Sequence, residues 1–335
     1  MSLSLYMFKR TRTYVAYVLA VDLGGTKCSA AVVNRKGRIV SSRTVPVDVS
    51  SRSMPVRQIV QLARDLAESA RPKECFVAAG IAVPGLVRRN GTVWAPNLPG
   101  WERMPLASHL RRSLEIPVIV ESDRNAALLG ECWRGAARGK SDAIVLMIGT
   151  GIGAGTMSGG HVVRGAHELS GCAGWLTVSP EGNSNSTATG ELESLAAGPG
   201  IANAARKRLQ EGKSSSLAQY DASKLTAHEV AAAAQEGDQL ALDVFHYAGR
   251  LLGFGIANMV SLFDPEIVII GGGMAGAADL YLDSLRAAML ERAQPLAAKK
   301  VKLVVSKLGD RANLFGCARL AWQSLETRKP GKERR

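Results

Sequence analysis

An α/β protein built from two similar halves is predicted by three observations. Apolar runs end in glycine turns at DLGGTK (22–27), GTGIGAG (149–155) and GGGMAG (271–276). The first two turns are each followed by strand, turn and strand, so the scheme recurs roughly 125 residues on. Helical apolar spacing fills the intervals, so β and α alternate. Two such halves, each with a glycine turn at a strand end, would form a cleft. The expected division is an extension over 1–14, a first α/β domain over 15–122, a second over 123–312 and a basic tail over 326–335. A C-terminal helix over 313–325 completes the first domain.

The elements follow in order. Tyr14 to Val21 is β-branched and aromatic, which suits a buried strand. SAAVV (29–33), a turn at Asn34–Gly37 and RIVSSRTV (38–45) make a three-stranded antiparallel meander. A helix comes next, with Ser53 as its cap, Pro55 in its first turn and Val56, Ile59, Val60, Ala63, Leu66 and Ala70 on one face. CFVAAGIAVPG (75–85) reads as a buried strand stopped by Pro84 and Gly85, and Val118–Val120 as another. AIVLMIG (143–149) opens the second half, and EIVII (266–270) supplies a further strand. Helices are expected around 200–212 and 238–262, and the Ser- and Asn-rich 180–190 is a surface loop.

Composition limits the function classes. The 335 residues are 46% hydrophobic and 21% charged, enough apolar material for about two globular domains. Of the +13 formal charge the two ends carry +3 each, leaving a modestly basic body suited to anionic phosphates. No helix-turn-helix or zinc-finger pattern occurs, which argues against nucleic acid as a partner. Five dispersed cysteines without a CxxC pair suit free thiols in a reducing compartment. The stretch KRTR…YVAYVLAV imitates a signal peptide but runs into Asp22 without a small-residue cleavage site. No apolar run approaches the ~20 residues of a membrane helix, so a cytoplasmic location is expected.

The opening turn carries chemistry. Gly24 and Gly25 allow close backbone approach, Thr26 and Lys27 add a hydroxyl and a cation, and Asp22 can hold a hydrated Mg²⁺. That set suits a nucleotide polyphosphate; an ordinary hairpin turn is the plain alternative. GTGIGAG lacks the GxGxxG spacing, no GxxxxGK[ST] occurs, and the protein-kinase motifs are missing. In IPVIVESDRNAALLGE (116–131) a strand delivers Asp123 to the start of a helix. Phosphoryl transfer to an alcohol needs one carboxylate to orient the hydroxyl and accept its proton. A helix N-cap is the structural alternative for Asp123.

DLGGTK, PNLPGW (96–101), SDRNAALLGE (122–131), GTGIGAG with RGAH (164–167), and GDRANLFGCA (309–318) resemble the ROK family in that order. That family comprises repressors and sugar kinases of the actin-like ATPase (ribonuclease H-like) fold, and the resemblance runs from about 16 to 324. It implies an ATP-dependent sugar kinase, homodimeric, with Asp123 as catalytic base. Asp22, Gly24, Gly25, Thr26 and Lys27 would form the first phosphate loop, with Asp22 near Mg²⁺. Gly149, Thr150, Gly151 and Gly153 would form the second, and Gly271, Gly272 and Gly273 would approach adenosine. Asn97 borders the sugar. Only about fifteen residues precede the core, too few for the winged helix of the repressors, which favours the kinase branch. The alternative is a sugar- or nucleotide-responsive binding protein without turnover.

Departures from the family pattern concentrate on the sugar side. Ser122 replaces the first Asn of NDxN, and SGCAGWLTV (170–178) puts Cys172 and Trp175 where the family has a sugar-gripping Glu and a zinc-holding His. Ser184, Ser186 and Glu191 stand at zinc-ligand positions, so no zinc is expected. Glu193 matches a family sugar-binding Glu. The expected substrate contacts are therefore Asn97, Ser122, Asp123, Cys172, Trp175 and Glu193.

Overall fold

The computed structural model describes residues 15–69, 74–179 and 189–326. The N-terminal extension, Ala70, Ser184, Ser186 and the tail beyond Glu326 lie outside them. The chain divides into two compact units, residues 1–138 with 165–168 and 310–335, and residues 139–164 with 169–309.

In the first unit β1 (Val15–Leu23), β2 (Lys27–Val33) and β3 (Ile39–Pro46) form the expected antiparallel meander. After α1 (Met54–Glu68), β4 (Glu74–Val83) joins β1 in parallel. A small hairpin, β5 (Leu86–Val87) with β6 (Val93–Trp94), precedes α2 (Leu106–Leu114). Then β7 (Val118–Ser122) adds to β4 and runs straight into α3 (Asp123–Arg134). Ser53 takes the N-cap position of α1, but its hydroxyl does not bond the helix, and Leu62, unforeseen, joins Ile59, Ala63 and Leu66 in the core.

The second unit repeats this scheme. β8 (Ala143–Ile148), β9 (Ile152–Ser158) and β10 (His161–Val162) form an antiparallel meander. Helices α4 (Glu191–Ala196), α5 (Gly198–Gln210), α6 (Ala227–Gln235) and α7 (Gln239–Phe263) follow. β11 (Ile267–Gly271) pairs β8 in parallel, and after α8 (Leu282–Arg292) and α9 (Pro295–Lys300), β12 (Lys302–Val305) pairs β11. The two sheet orders, β3-β2-β1-β4-β7 and β10-β9-β8-β11-β12, are the same topology twice.

The last helix, α10 (Arg311–Glu326), belongs to the first unit, where β1 is buried on both faces. Leu19, Val21 and Leu23 face one core with Ile59 and Leu110, while Val18 and Ala20 face a second with Ala126, Cys317 and Ala321. α3 and α10 cross at glycine. A Cβ on Gly130 would stand 2.0 Å from the Ala312 carbonyl oxygen, and one on Gly316 1.8 Å from that of Ala126. That packing corrects the expected boundary: α3 lies with the first unit, and the division falls after Arg138, not before Asp123.

Candidate active site

Two β-hairpins carry the phosphate-type turns. In the first unit Leu23 pairs with Cys28, and the Gly24 N–H donates to the Lys27 carbonyl at 2.9 Å to close the turn. Gly25 and Thr26 are exposed at its tip, and their N–H groups have no main-chain acceptor among the described residues. In the second unit Ile148 pairs with Ile152, and the Gly149 N–H bonds the Gly151 carbonyl at 2.9 Å. Thr150 is exposed there, and the N–H groups of Thr150 and Gly151 likewise lack main-chain acceptors. Successive unpaired N–H groups at a turn make a concave site for an anion. Gly153 is set apart from that turn, inside β9 opposite Met147.

Gly271 ends β11, and Gly272 has φ +84, where a Cβ would sit 2.4 Å from the Ile148 carbonyl oxygen. Only glycine fits there. Gly273 faces open space. A cavity of about 810 Å³ in the second unit is lined by Thr150, Glu193, Pro199, Asn203, Lys207 and Tyr247.

In the first unit carboxylates gather around Asp22. Its Oδ1 accepts from Asn313 Nδ2 at 3.1 Å, and Lys27 Nζ lies 2.5 Å from Asp310 Oδ2. Burial pushes Asp22 up from 3.8 to about 7; the Asn313 hydrogen bond opposes the rise, Asp123 and Asp310 add to it and Lys27 opposes it. Asp123 is raised as well, by burial, against the Arg124 N–H that donates to its Oδ1 at 2.8 Å. Both acids keep some accessible surface. Asp123 is not the N-cap; Ser122 holds that position, and Asp123 opens the helix.

Glu121, which sequence reasoning missed, secures this turn. Its buried Oε1 accepts the Ser122 N–H at 2.9 Å and Asn125 Nδ2 at 3.1 Å, flanking Asp123 on both sides. Ser122 is 3% exposed, with its hydroxyl 3.5 Å from the same oxygen. The shortened side chain thus lies at the buried end of β7. Asn97 is exposed on a turn closed by Ala95 N–H to the Trp101 carbonyl, 2.9 Å, and anchored by buried Trp101.

On the second unit Cys172 is exposed and starts the 3-10 turn Ala173–Trp175, whose last ring is 58% exposed. Trp175 is therefore not a core residue. Glu193 Oε2 accepts the Ile152 N–H at 2.7 Å, so this acid braces the second phosphate turn, and partial burial raises it. Buried Glu191 accepts from Val178 N–H at 3.2 Å and from the Ser179 hydroxyl. Glu191, at a position that the resemblance assigns to a zinc ligand, is thus hydrogen-bonded to Val178 and Ser179.

No group of three His, Cys, Asp or Glu side chains among the described residues could hold a metal. The Asp22 carboxylate fits a hydrated Mg²⁺, which takes one or two carboxylates and fills its octahedron with waters and phosphates.

Two repeated α/β units with paired glycine hairpins define an actin-like ATPase fold. The ROK family model matches residues 18–324, and the chain belongs to that family. It is 32% identical over 324 residues to a glucokinase of Halalkalibacterium halodurans, covering 95% of this chain and 98% of the relative. It is 35% identical to the bifunctional enzyme NanE/NanK of Brucella melitensis over 91% of this chain and 54% of that protein. A Streptomyces griseus ROK glucokinase, solved with glucose and AMPPNP, has TM-score 0.78 and 31% identity over 92% of this chain and 99% of its own.

Proposed function

We propose that this chain is an ATP-dependent sugar kinase in which Asp123 is the base. The observation that carries the mechanism is the position of the Asp123 carboxylate at the first residue of α3, in the unit that also holds the Asp22–Lys27 hairpin. Asp123 accepts the proton of the acceptor hydroxyl as that oxygen attacks the terminal phosphorus of ATP, whose bond to the bridging oxygen breaks so that ADP leaves. The Gly24–Lys27 and Gly149–Gly151 turns donate N–H groups to the phosphates, and Gly271–Gly273 approach the nucleoside. Asp22 would hold Mg²⁺, which neutralises charge on the phosphates when bound. Retention of these groups together, in a chain 32% identical to a glucokinase, supports turnover over mere binding.

The acceptor is a hexose with an altered face near C1 and C2. Cys172 in place of a carboxylate removes a two-hydroxyl acceptor, and the exposed Trp175 ring offers a wide apolar face for sugar C–H groups. An apolar wall discriminates by ~1–3 kcal/mol, far less than a hydroxyl-specific carboxylate. N-acylated hexosamines are therefore expected to exceed glucose. The protein is proposed to be cytoplasmic and homodimeric, without structural zinc; no described helix is long and apolar enough to cross a membrane.

ADP release is measured across glucose and N-acyl hexosamines. A glucose kcat/KM above ~10⁴ M⁻¹s⁻¹ would refute the altered pocket. Mg²⁺-ADP binding without turnover on any sugar would favour the second reading, a binding protein, to which the lost Glu and His equivalents point.

A further inference from the structure

The GDRANLFGCA segment is quoted above only as resemblance, yet it supplies two side chains to the acidic group around Asp22. One is Asp310, which engages Lys27. The other is Asn313, in the first turn of α10, whose reach to β1 spans 291 residues of sequence. An asparagine near a helix start ordinarily bonds its own backbone. Here the Nδ2 is spent on Asp22 instead, and the remaining amide oxygen, Oδ1, is buried without a partner among the described residues.

An unpaired buried acceptor carries a desolvation penalty, and native structures seldom leave one without a donor. The surroundings offer none. The negative charges of Asp123 and Asp310 both act against that of Asp22, and Lys27 Nζ already faces Asp310. The local deficit is of positive charge and of O–H donors. A hydrated divalent cation supplies both, since its bound waters donate to carboxylate and amide oxygens while the ion offsets the acids.

We propose that Asn313 is a positioning residue for the cation that accompanies the nucleotide. Its Nδ2 sets the Asp22 carboxylate, and its Oδ1 accepts a hydrogen bond from a cation-bound water. This rests on the Mg²⁺-nucleotide site of the kinase reading and extends it to a side chain that no phosphate-loop motif contains.

The test is calorimetric titration with ADP in EDTA and with Mg²⁺-ADP, for wild type, Asn313→Ala and Asn313→Asp. Alanine is the best helix former, so the first variant is expected to fold. Wild type should prefer Mg²⁺-ADP. Asn313→Ala should weaken Mg²⁺-ADP about 10-fold, as for one charge-assisted hydrogen bond, and change metal-free ADP less than about 2-fold. Asn313→Asp retains the acceptor but exchanges the Nδ2 donor to Asp22 for a further carboxylate, so it should keep part of the preference that Asn313→Ala loses. Equal losses for both ligands in Asn313→Ala would make the residue a structural brace and overturn the proposal. So would an unchanged preference in Asn313→Ala, or Asn313→Asp losing it as fully as Asn313→Ala. Wild type binding ADP without metal preference would overturn the proposal and leave the nucleotide reading standing. Wild type binding neither ligand would overturn both.

Discussion

Gly316→Ala tests whether the α3–α10 crossing sets the geometry of the site. The new Cβ would stand 1.8 Å from the Ala126 carbonyl oxygen and 2.5 Å from its carbon, against an ordinary contact of 3.4 Å or more. The helices must separate by roughly 1.5 Å, and the reciprocal contact of Gly130 with Ala312 loosens too. Overpacking against backbone belongs at the upper end of its range, ~3 kcal/mol. Replacing glycine inside a helix returns ~1 kcal/mol. The net loss of ~2 kcal/mol corresponds to a Tm lower by ~4–8 °C for a unit of this size. Scanning calorimetry on the single variants and on Gly130→Ala/Gly316→Ala should show a double loss smaller than the sum, because one displacement relieves both clashes. Turnover should fall as well, since the pair carries Asp123 and Asn313. A Gly316→Ala protein melting at or above wild type would refute the close crossing.

Asp123→Asn should lower kcat by at least ~10²-fold with nucleotide affinity nearly intact, and unchanged turnover would return Asp123 to a structural role. Burial raises Asp22 from 3.8 to about 7, so across that interval the folded chain holds a proton that the unfolded chain has released. Stability of the metal- and nucleotide-free protein should fall as pH climbs through that interval. Asp22→Asn should lack the decline, and parallel Tm–pH curves would contradict it. Exposed Cys172 should react quickly with a thiol reagent and be shielded by a sugar substrate, while Cys28, pushed up by burial to about 12, stays inert. A sugar that is phosphorylated without slowing Cys172 labelling would place that residue outside the pocket.

What the sequence determined alone is local. The two meanders, the hairpins at DLGGTK and GTG and the strand-to-helix passage at Asp123 were legible, because strand alternation and glycine turns are written within a few residues. The family resemblance added the fold name and the roles. The expected boundary before Asp123 failed because helix membership depends on packing: α3 needs α10, nearly two hundred residues further on, to cover its small-residue face. Glu121 passed unremarked for a similar reason, since a strand-end acid shows its purpose only when its two donors are in place. Trp175 could have been core or surface until its exposure was known. The bond from Asn313 to Asp22 and the pairing of Lys27 with Asp310 join the chain's two ends. No local pattern encodes such pairings. Tertiary structure alone decided them, because burying α10 on the sheet brings one donor to one carboxylate and leaves one amide oxygen without a partner.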